Sequence, residues 1–260
     1  MSTAAMTTAP QERITLEALA QTLESFGLRH ASRQLAEILE DADSRNETFR
    51  DFLNDLLQRE AAGRNERNRA RNYAAAHFPP NPKPLEEFDA AELESGITTS
   101  QIHQLEDLNW LDSHGNIIFA GPPGLGKTML AVGLGVLAVN QGYTVAFEGM
   151  TNFTRLLDNE STDRVSGFRM RNIRKADLVI IDEIGYTPIT RAQANAFYNF
   201  VSGANGRSSI VFTTNKSIQD WAEIMGDRDL TAALLDRILS RARCFSLQGK
   251  SYRLKHPEVF

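Results

Sequence analysis

The chain has one cysteine, Cys244, among 260 residues. That excludes an internal disulfide and any cysteine-rich zinc site, and it fits a reducing cytosol. An excess of one charge is also missing: 28 Lys and Arg against 33 Asp and Glu leave −5, so any nucleic-acid surface must be local. No apolar run approaches the roughly 18 residues that a membrane-spanning helix needs. Met1 to Pro10 lack the basic and apolar regions of a signal peptide. These absences lead us to expect a cytoplasmic protein with no membrane partner. The five histidines, His30, His77, His103, His114 and His256, have no ligand-like spacing and leave a zinc site without support. Cys244 lies in an apolar run and reads as a small core hydrophobe, not a nucleophile.

What is present is ordinary globular material, 42% hydrophobic and 23% charged. At about 150 residues per domain the length predicts one substantial domain with an appendage. Residues 1–13 read as a loose polar tail. Leu16, Leu19, Leu23 and Phe26 recur at helical spacing up to Gly27, and Leu28, Leu35, Ile38 and Leu39 continue the pattern into a second helix. A third begins near Asn46 or Thr48 with Phe49, Phe52, Leu53, Leu56 and Leu57 on one stripe. Its continuation over 59–71 is polar and net +3, carrying Arg64, Arg67 and Arg71. The run Phe78-Pro79-Pro80-Asn81-Pro82-Lys83-Pro84 then ends any helix. The expected layout is a small all-α N-terminal domain over 14–77 for DNA or partner contacts, a proline-rich linker over 78–87 and a second domain over 88–260.

From Asn116 onward short apolar runs alternate with amphipathic helices. The runs are Ile117 to Ala120, Thr144 to Phe147, Leu178 to Ile181, Ile210 to Thr213 and Cys244 to Leu247. This is βαβ texture, and it predicts an α/β domain with a five-stranded parallel sheet.

The strongest motif is Gly121-Pro122-Pro123-Gly124-Leu125-Gly126-Lys127-Thr128, placed between the first run and a helical segment, Met129 to Asn140. Its spacing is that of a phosphate-binding loop, in which backbone N–H groups and a helix N-terminus converge on an anion. Lys127 would reach the β and γ phosphates, and the Thr128 hydroxyl would coordinate Mg2+. The strand Leu178 to Ile181 delivers Asp182 and Glu183. Because parallel strands share one carboxyl edge, Asp182 is expected beside Thr128 at the metal, with Glu183 as general base for the attacking water. An acid pair after a strand also serves as an ordinary helix cap. Asn215 ends the run Ile210-Val211-Phe212-Thr213-Thr214-Asn215, where it is either a turn former or a residue that orients the lytic water.

Taken together, GPPGLGKT, LVIIDEIGY, FTTN, GDRDLTAALLDRI and GKSYRLK resemble the IstB family of AAA+ ATPases, helpers of insertion-sequence transposases; helicase loaders of the DnaC type share most of these marks. The resemblance implies an AAA+ P-loop NTPase fold and an ATPase using ATP and Mg2+. It gives Asn215 the sensor 1 role and Arg237 that of an arginine finger acting on the neighbouring subunit. Arg253 takes the sensor 2 role. Without the likeness, Arg237 reads as a surface cation paired with Asp236, and Arg253 as a solvated tail charge. The resemblance further implies a homo-oligomer, helical or ring-like, on duplex DNA, and a cognate transposase as partner. A helicase loader gripping single-stranded DNA is the alternative within the fold, and a clamp using ATP only as a structural ligand is the alternative outside catalysis.

In the initiator-type AAA+ proteins that this chain resembles, the insert between the second and third strands lines the inner face of the assembly, so the resemblance makes Arg155 to Lys175 the expected DNA track. Arg164, Arg169, Arg171, Arg174 and Lys175 give +5 over 164–175 with no acid. Repeated along an assembly, such charge follows a phosphate backbone without reading sequence. A solvated helix face accounts for the same composition. Tyr73 and Phe168 read as isolated aromatics, too few for a stacking platform.

Overall fold

The structure, a computed structural model, describes residues 14–255, with Arg253 and Lys255 described by backbone alone. The tail expected over 1–13 lies outside the described residues. Three helices open the chain: α1 (Leu16–Ser25), α2 (Arg29–Arg45) and α3 (Phe49–Ala76). Two compact units divide between Asn68 and Arg69, inside α3 and upstream of the prolines. The proline-rich stretch expected as a linker is anchored through its apolar residues: Leu85 is buried, and Phe78 and Phe88 pack half-buried against the core of the second unit. The helix does stop before the prolines, with His77 in a left-handed φ of 62°.

The second unit carries β1 (Asn116–Ala120), β2 (Val145–Gly149), β3 (Leu178–Ile184), β4 (Ser209–Thr214) and β5 (Ala242–Ser246). Its helices are α4 (Thr99–Glu106), α5 (Asn109–Asp112), α6 (Lys127–Asn140), α7 (Met150–Asn159), α8 (Arg164–Lys175), α9 (Arg191–Ala204), α10 (Trp221–Met225), α11 (Arg228–Leu239) and α12 (Tyr252–Lys255). The five strands form one sheet in the order β2-β3-β4-β1-β5 with every pairing parallel, as expected. Side chains alternate between its two faces. Ile117, Phe119, Leu178, Ile180 and Val211 enter one apolar layer, while Ile118, Val179, Ile181, Ile210 and Phe212 enter the other. A parallel sheet covered on both sides reads in sequence as continuous apolar runs, which is why the strands were recognisable.

β1 lies between β4 and β5, neither of which is its neighbour in sequence, so the chain reverses direction of winding there. That switch point opens a crevice at the carboxyl ends of the strands. The helix leaving it, α6, is apolar around its circumference and buried along most of its length. A Cβ on Gly133 would lie 3.0 Å from Leu85, and one on Gly135 would lie 2.7 Å from Ile180. The strap over 78–88 and the sheet therefore press α6 from two sides and fix its N-terminus.

The sequence expectation for Cys244 is corrected by β5. As an edge strand it covers only part of its surface, with Phe245 turned inward and Cys244 exposed. Partial desolvation raises the thiol pKa, so it remains a poor nucleophile.

Among the described residues, the first unit has a core of four buried apolar side chains, Ala31, Leu35, Ile38 and Leu56. So small a core needs polar fixation. Leu28 at the head of α2 offers no side-chain cap, and Glu60 of α3 supplies one. Its Oε2 accepts from the amides of His30 at 2.7 Å and Ala31 at 3.0 Å. Glu60 is 3% exposed, with Arg64 and Arg67 both 3.6 Å from its Oε1. Burial pushes its pKa up, but the Ala31 and His30 amides and the two guanidiniums outweigh burial and hold it below 4.5. We predict that Glu60→Ala, which orphans one buried and one half-buried amide, costs the N-terminal unit about 2 kcal/mol, read as lost hydrogen-exchange protection at the start of α2. Since the folded-state pKa is depressed, wild type keeps this contribution above the unfolded value of 4.5 and loses it as pH falls through the folded one. Protection in the variant that equals wild type at neutral pH contradicts the capping role.

Candidate active site

The loop after β1 is bound into the sheet edge. The Gly121 amide donates to the Thr214 carbonyl at 3.1 Å, and Lys127 Nζ donates to the Pro122 carbonyl at 2.7 Å. Gly126 caps α6 with a φ of 79°, a conformation that costs a side-chain-bearing residue about 1–2 kcal/mol. Its missing Cβ also makes room for Phe88, whose ring would lie 2.6 Å away, and a Cβ on Gly124 would lie 2.1 Å from Ser251 Oγ. The glycines thus serve close packing of the flanking chain as well as any bound anion.

Three elements converge beneath the loop. Asp182, 6% exposed at the end of β3, accepts from Thr128 Oγ1 at 2.9 and 3.1 Å through its two oxygens, and from Thr213 Oγ1 of β4. The same Thr213 oxygen accepts the Glu183 amide at 2.9 Å. Thr213 therefore holds both acids; within the run FTTN its partners, 30 and 31 residues upstream, gave no signal in sequence.

In a regular strand Asp182 and Glu183 would face opposite sides of the sheet. The β3–β4 register shifts between Ile181 and Ile184, and Glu183 has a φ of 64°. This bulge leaves Asp182 buried and turns Glu183 out to an exposed position on a cleft of about 320 Å3, shared with Met150, Thr151, Arg155, Asp158 and Gln193. Gln193 closes the far side: it caps α9 through the Thr190 amide at 2.9 Å and donates to Asp158 of α7 at 2.6 Å.

Asn215 follows β4. Its buried Oδ1 makes no hydrogen bond among the described residues and packs against Gly185, an unpartnered polar atom just past the carboxyl end of β4. Arg237, exposed in the last turn of α11, has no ion pair or polar side-chain contact among the described residues, with Asp236 or with the residues above. The Arg253 side chain lies outside the described residues. Its segment reaches the loop, since the Tyr252 amide donates to the Gly124 carbonyl at 2.9 Å. A glycine-rich loop at a helix N-terminus, a hydroxyl–carboxylate pair and an unpartnered amide oxygen fit the donor set of a magnesium-bound nucleoside triphosphate.

A family model described as IstB-like ATP binding protein matches residues 21–259. The chain belongs to the IstB-like ATP-binding proteins. A Pseudomonas aeruginosa protein described as an ATP-binding protein of insertion sequence IS21 is 34% identical over 233 residues, covering 90% of this chain and 87% of the relative. A Geobacillus stearothermophilus counterpart from IS5376 is 32% identical over 220 residues, with 85% and 87% covered. Among solved structures, DnaI superposes with a TM-score of 0.54 at 14% identity over 64% of this chain and 90% of that one. AMPPCP-bound DnaA from Aquifex aeolicus superposes with 0.53 at 15% over 69% and 54%. These likenesses establish for the IstB-like chain the AAA+ P-loop fold, in agreement with its strand order.

The basic residues separate into distinct environments. Arg169 is 6% exposed and is corrected from DNA contact to structural anchor. Its Nε donates to Glu148 Oε1 at 2.6 Å, and its other nitrogens reach the carbonyls of Ala75, Ala76 and Phe147 at 2.8 to 3.2 Å, capping the end of α3. Arg174 forms a two-pronged pair with Glu160 at 2.6 and 2.9 Å. The +5 window thus leaves Arg164, Arg171 and Lys175 exposed and without an ion pair among the described residues. Arg155 donates to Asn152 at 2.6 and 3.1 Å, Arg64 and Arg67 face Glu60, and Arg71 is exposed.

Two outcomes follow. Glu183→Gly relieves the left-handed backbone and gains about 1 kcal/mol in chemical denaturation; a loss of stability contradicts the strain. Arg169→Ala leaves Glu148 buried without its counter-ion and costs about 3–5 kcal/mol, whereas Arg171→Ala stays within about 0.5 kcal/mol of wild type. Equal effects in the same denaturation measurement contradict the distinction.

Proposed function

We propose that this IstB-like protein is a Mg2+-dependent ATPase that oligomerises on duplex DNA and recruits or activates the transposase of an insertion sequence. The observation that carries the catalytic half is the contact of Thr128 with Asp182, a hydroxyl and a buried carboxylate meeting under the phosphate loop. Bound there, Mg2+ would neutralise charge on the phosphate oxygens. Lys127 binds the β and γ phosphates as a point charge, and Thr128 and Asp182 hold the metal. Glu183, exposed at the cleft, takes the proton of the attacking water, and the free Asn215 Oδ1 orients that water. Arg237, without an ion pair, is the cation offered to a neighbouring protomer, and Arg253 contacts the γ-phosphate within its own.

The DNA half is supported by Arg164, Arg171 and Lys175 on α8 and by Arg155 on α7. Arg71 is a further exposed cation of the same unit, and the first unit carries its own candidates, Arg64 and Arg67, with charge partly answered by Glu60. The insertion-sequence names of the relatives support the transposase as partner.

Mixing variants tests the shared site. Lys127→Ala, Glu183→Gln and Arg237→Ala each lower ATP turnover, the last by about a thousandfold. An equal mixture of Glu183→Gln and Arg237→Ala recovers about a quarter of the wild-type rate, because one pairing in four joins an intact base to an intact finger. Full turnover by Arg237→Ala alone, or no recovery on mixing, overturns the shared site. Tighter ATP-dependent binding to single strands than to duplex overturns the choice of DNA.

A further inference from the structure

The outward face of α8 carries more than charge. At about 100° per residue, Arg164, Phe168, Arg171 and Lys175 fall along one line of the helix, with Val165 and Asn172 beside it. The opposite side, Ser166, Arg169, Met170 and Ile173, is buried. Phe168 sits at the centre of the outward arc, 60% exposed, and Val165 is 75% exposed. Val165 and Phe168 thus form an adjacent apolar pair in the middle of a cationic face, and the combination of the two chemistries is what distinguishes this arc from other exposed apolar side chains of the protein.

The ring is also held. The Arg171 guanidinium carbon lies 5.9 Å from the Phe168 ring centroid, within cation–π range. The helix beneath it is pinned: Arg169 is buried on Glu148, Arg174 is paired with Glu160, and Gly167 lies so close to the Glu160 carbonyl that a Cβ would come within 2.6 Å. Asp163, the acid at the head of α8, is engaged by the Ser166 amide at 2.7 Å and the Ser166 hydroxyl at 2.6 Å. The neighbouring acids are thus all engaged, and the arc presents cations around an apolar centre.

We propose that Phe168, flanked by Val165, is a base-directed contact that enters a groove of duplex DNA while Arg164, Arg171 and Lys175 hold the phosphates on either side. A polyanion matches the cations, and base faces and edges match the exposed ring. The inference rests on the DNA reading above and adds to it a non-electrostatic component.

Duplex binding is measured with ATP across a salt series, using DNA that carries 2-aminopurine at successive positions. Phe168→Ala weakens binding about tenfold with an unchanged salt slope, and it removes the fluorescence rise that reports unstacking. Phe168→Leu, which keeps an apolar wedge, restores most of the affinity. Lys175→Ala instead lowers the salt slope by about one and keeps the fluorescence change. Phe168→Ala that binds duplex like wild type, changes the salt slope, or loses only single-strand binding overturns the proposal. Wild type that binds neither duplex nor single strands sinks the DNA reading itself, a result distinct from any behaviour of the variants.

Discussion

The Asp182 carboxylate is the point on which the second unit is organised. A carboxylate 6% exposed must have hydrogen-bond donors, and it takes them from two hydroxyls, Thr128 at the head of α6 and Thr213 on β4. Those bonds tie β3, β4 and the phosphate loop into one unit at the switch point of the sheet. The choice of donor matters as much as the tie. An arginine or lysine would stabilise the acid by neutralising it, whereas hydroxyls leave the negative charge intact and available to a divalent cation.

From that tie the conformation of Glu183 follows. Thr213 Oγ1 accepts the Glu183 amide while its own proton is directed at Asp182, so one hydroxyl serves both acids. Satisfying it requires the chain to shift register within β3, and the shift leaves Glu183 left-handed. Strain of this kind persists only where surrounding bonds over-determine it. Its effect is to divide two consecutive acids between two environments, one buried beside the loop and one facing an open cleft. Different exposure and different access for water then arise from a single bulge.

Much of this was legible in the sequence, because the sheet is buried on both faces and its strands read as apolar runs between helices. The loop from Gly121 to Thr128 was equally legible, since spacing alone specifies it. What escaped notice depends on partners far along the chain. Glu60 caps α2 across about thirty residues, and Thr213 serves acids at a similar distance, so neither stands out in its local context. The division into compact units falls inside α3, ahead of the prolines, for a related reason. Prolines at 79, 80, 82 and 84 suggested a spacer, but Phe78, Leu85 and Phe88 beside them pack into the core, and anchoring by apolar residues overrides the stiffness of the segment.

The charge of α8 shows how the reading of composition fails and how periodicity repairs it. Counting residues 164–175 gives five cations and no acid, yet Glu148 and Glu160, outside that window, engage two of them. Position separates the cations more reliably than their number. Ser166, Arg169, Met170 and Ile173 follow the i, i+3, i+4, i+7 spacing of a buried face, which marks Arg169 as an inward cation before any partner is known. The same spacing places Phe168 outward, where an aromatic ring has no folding role. A buried arginine and an exposed phenylalanine on one helix are exchanged relative to ordinary preference. The arginine is explained by Glu148 and the end of α3, and the phenylalanine has no counterpart within the described residues of its own chain beyond the guanidinium that steadies it. Its partner must therefore be sought outside the chain.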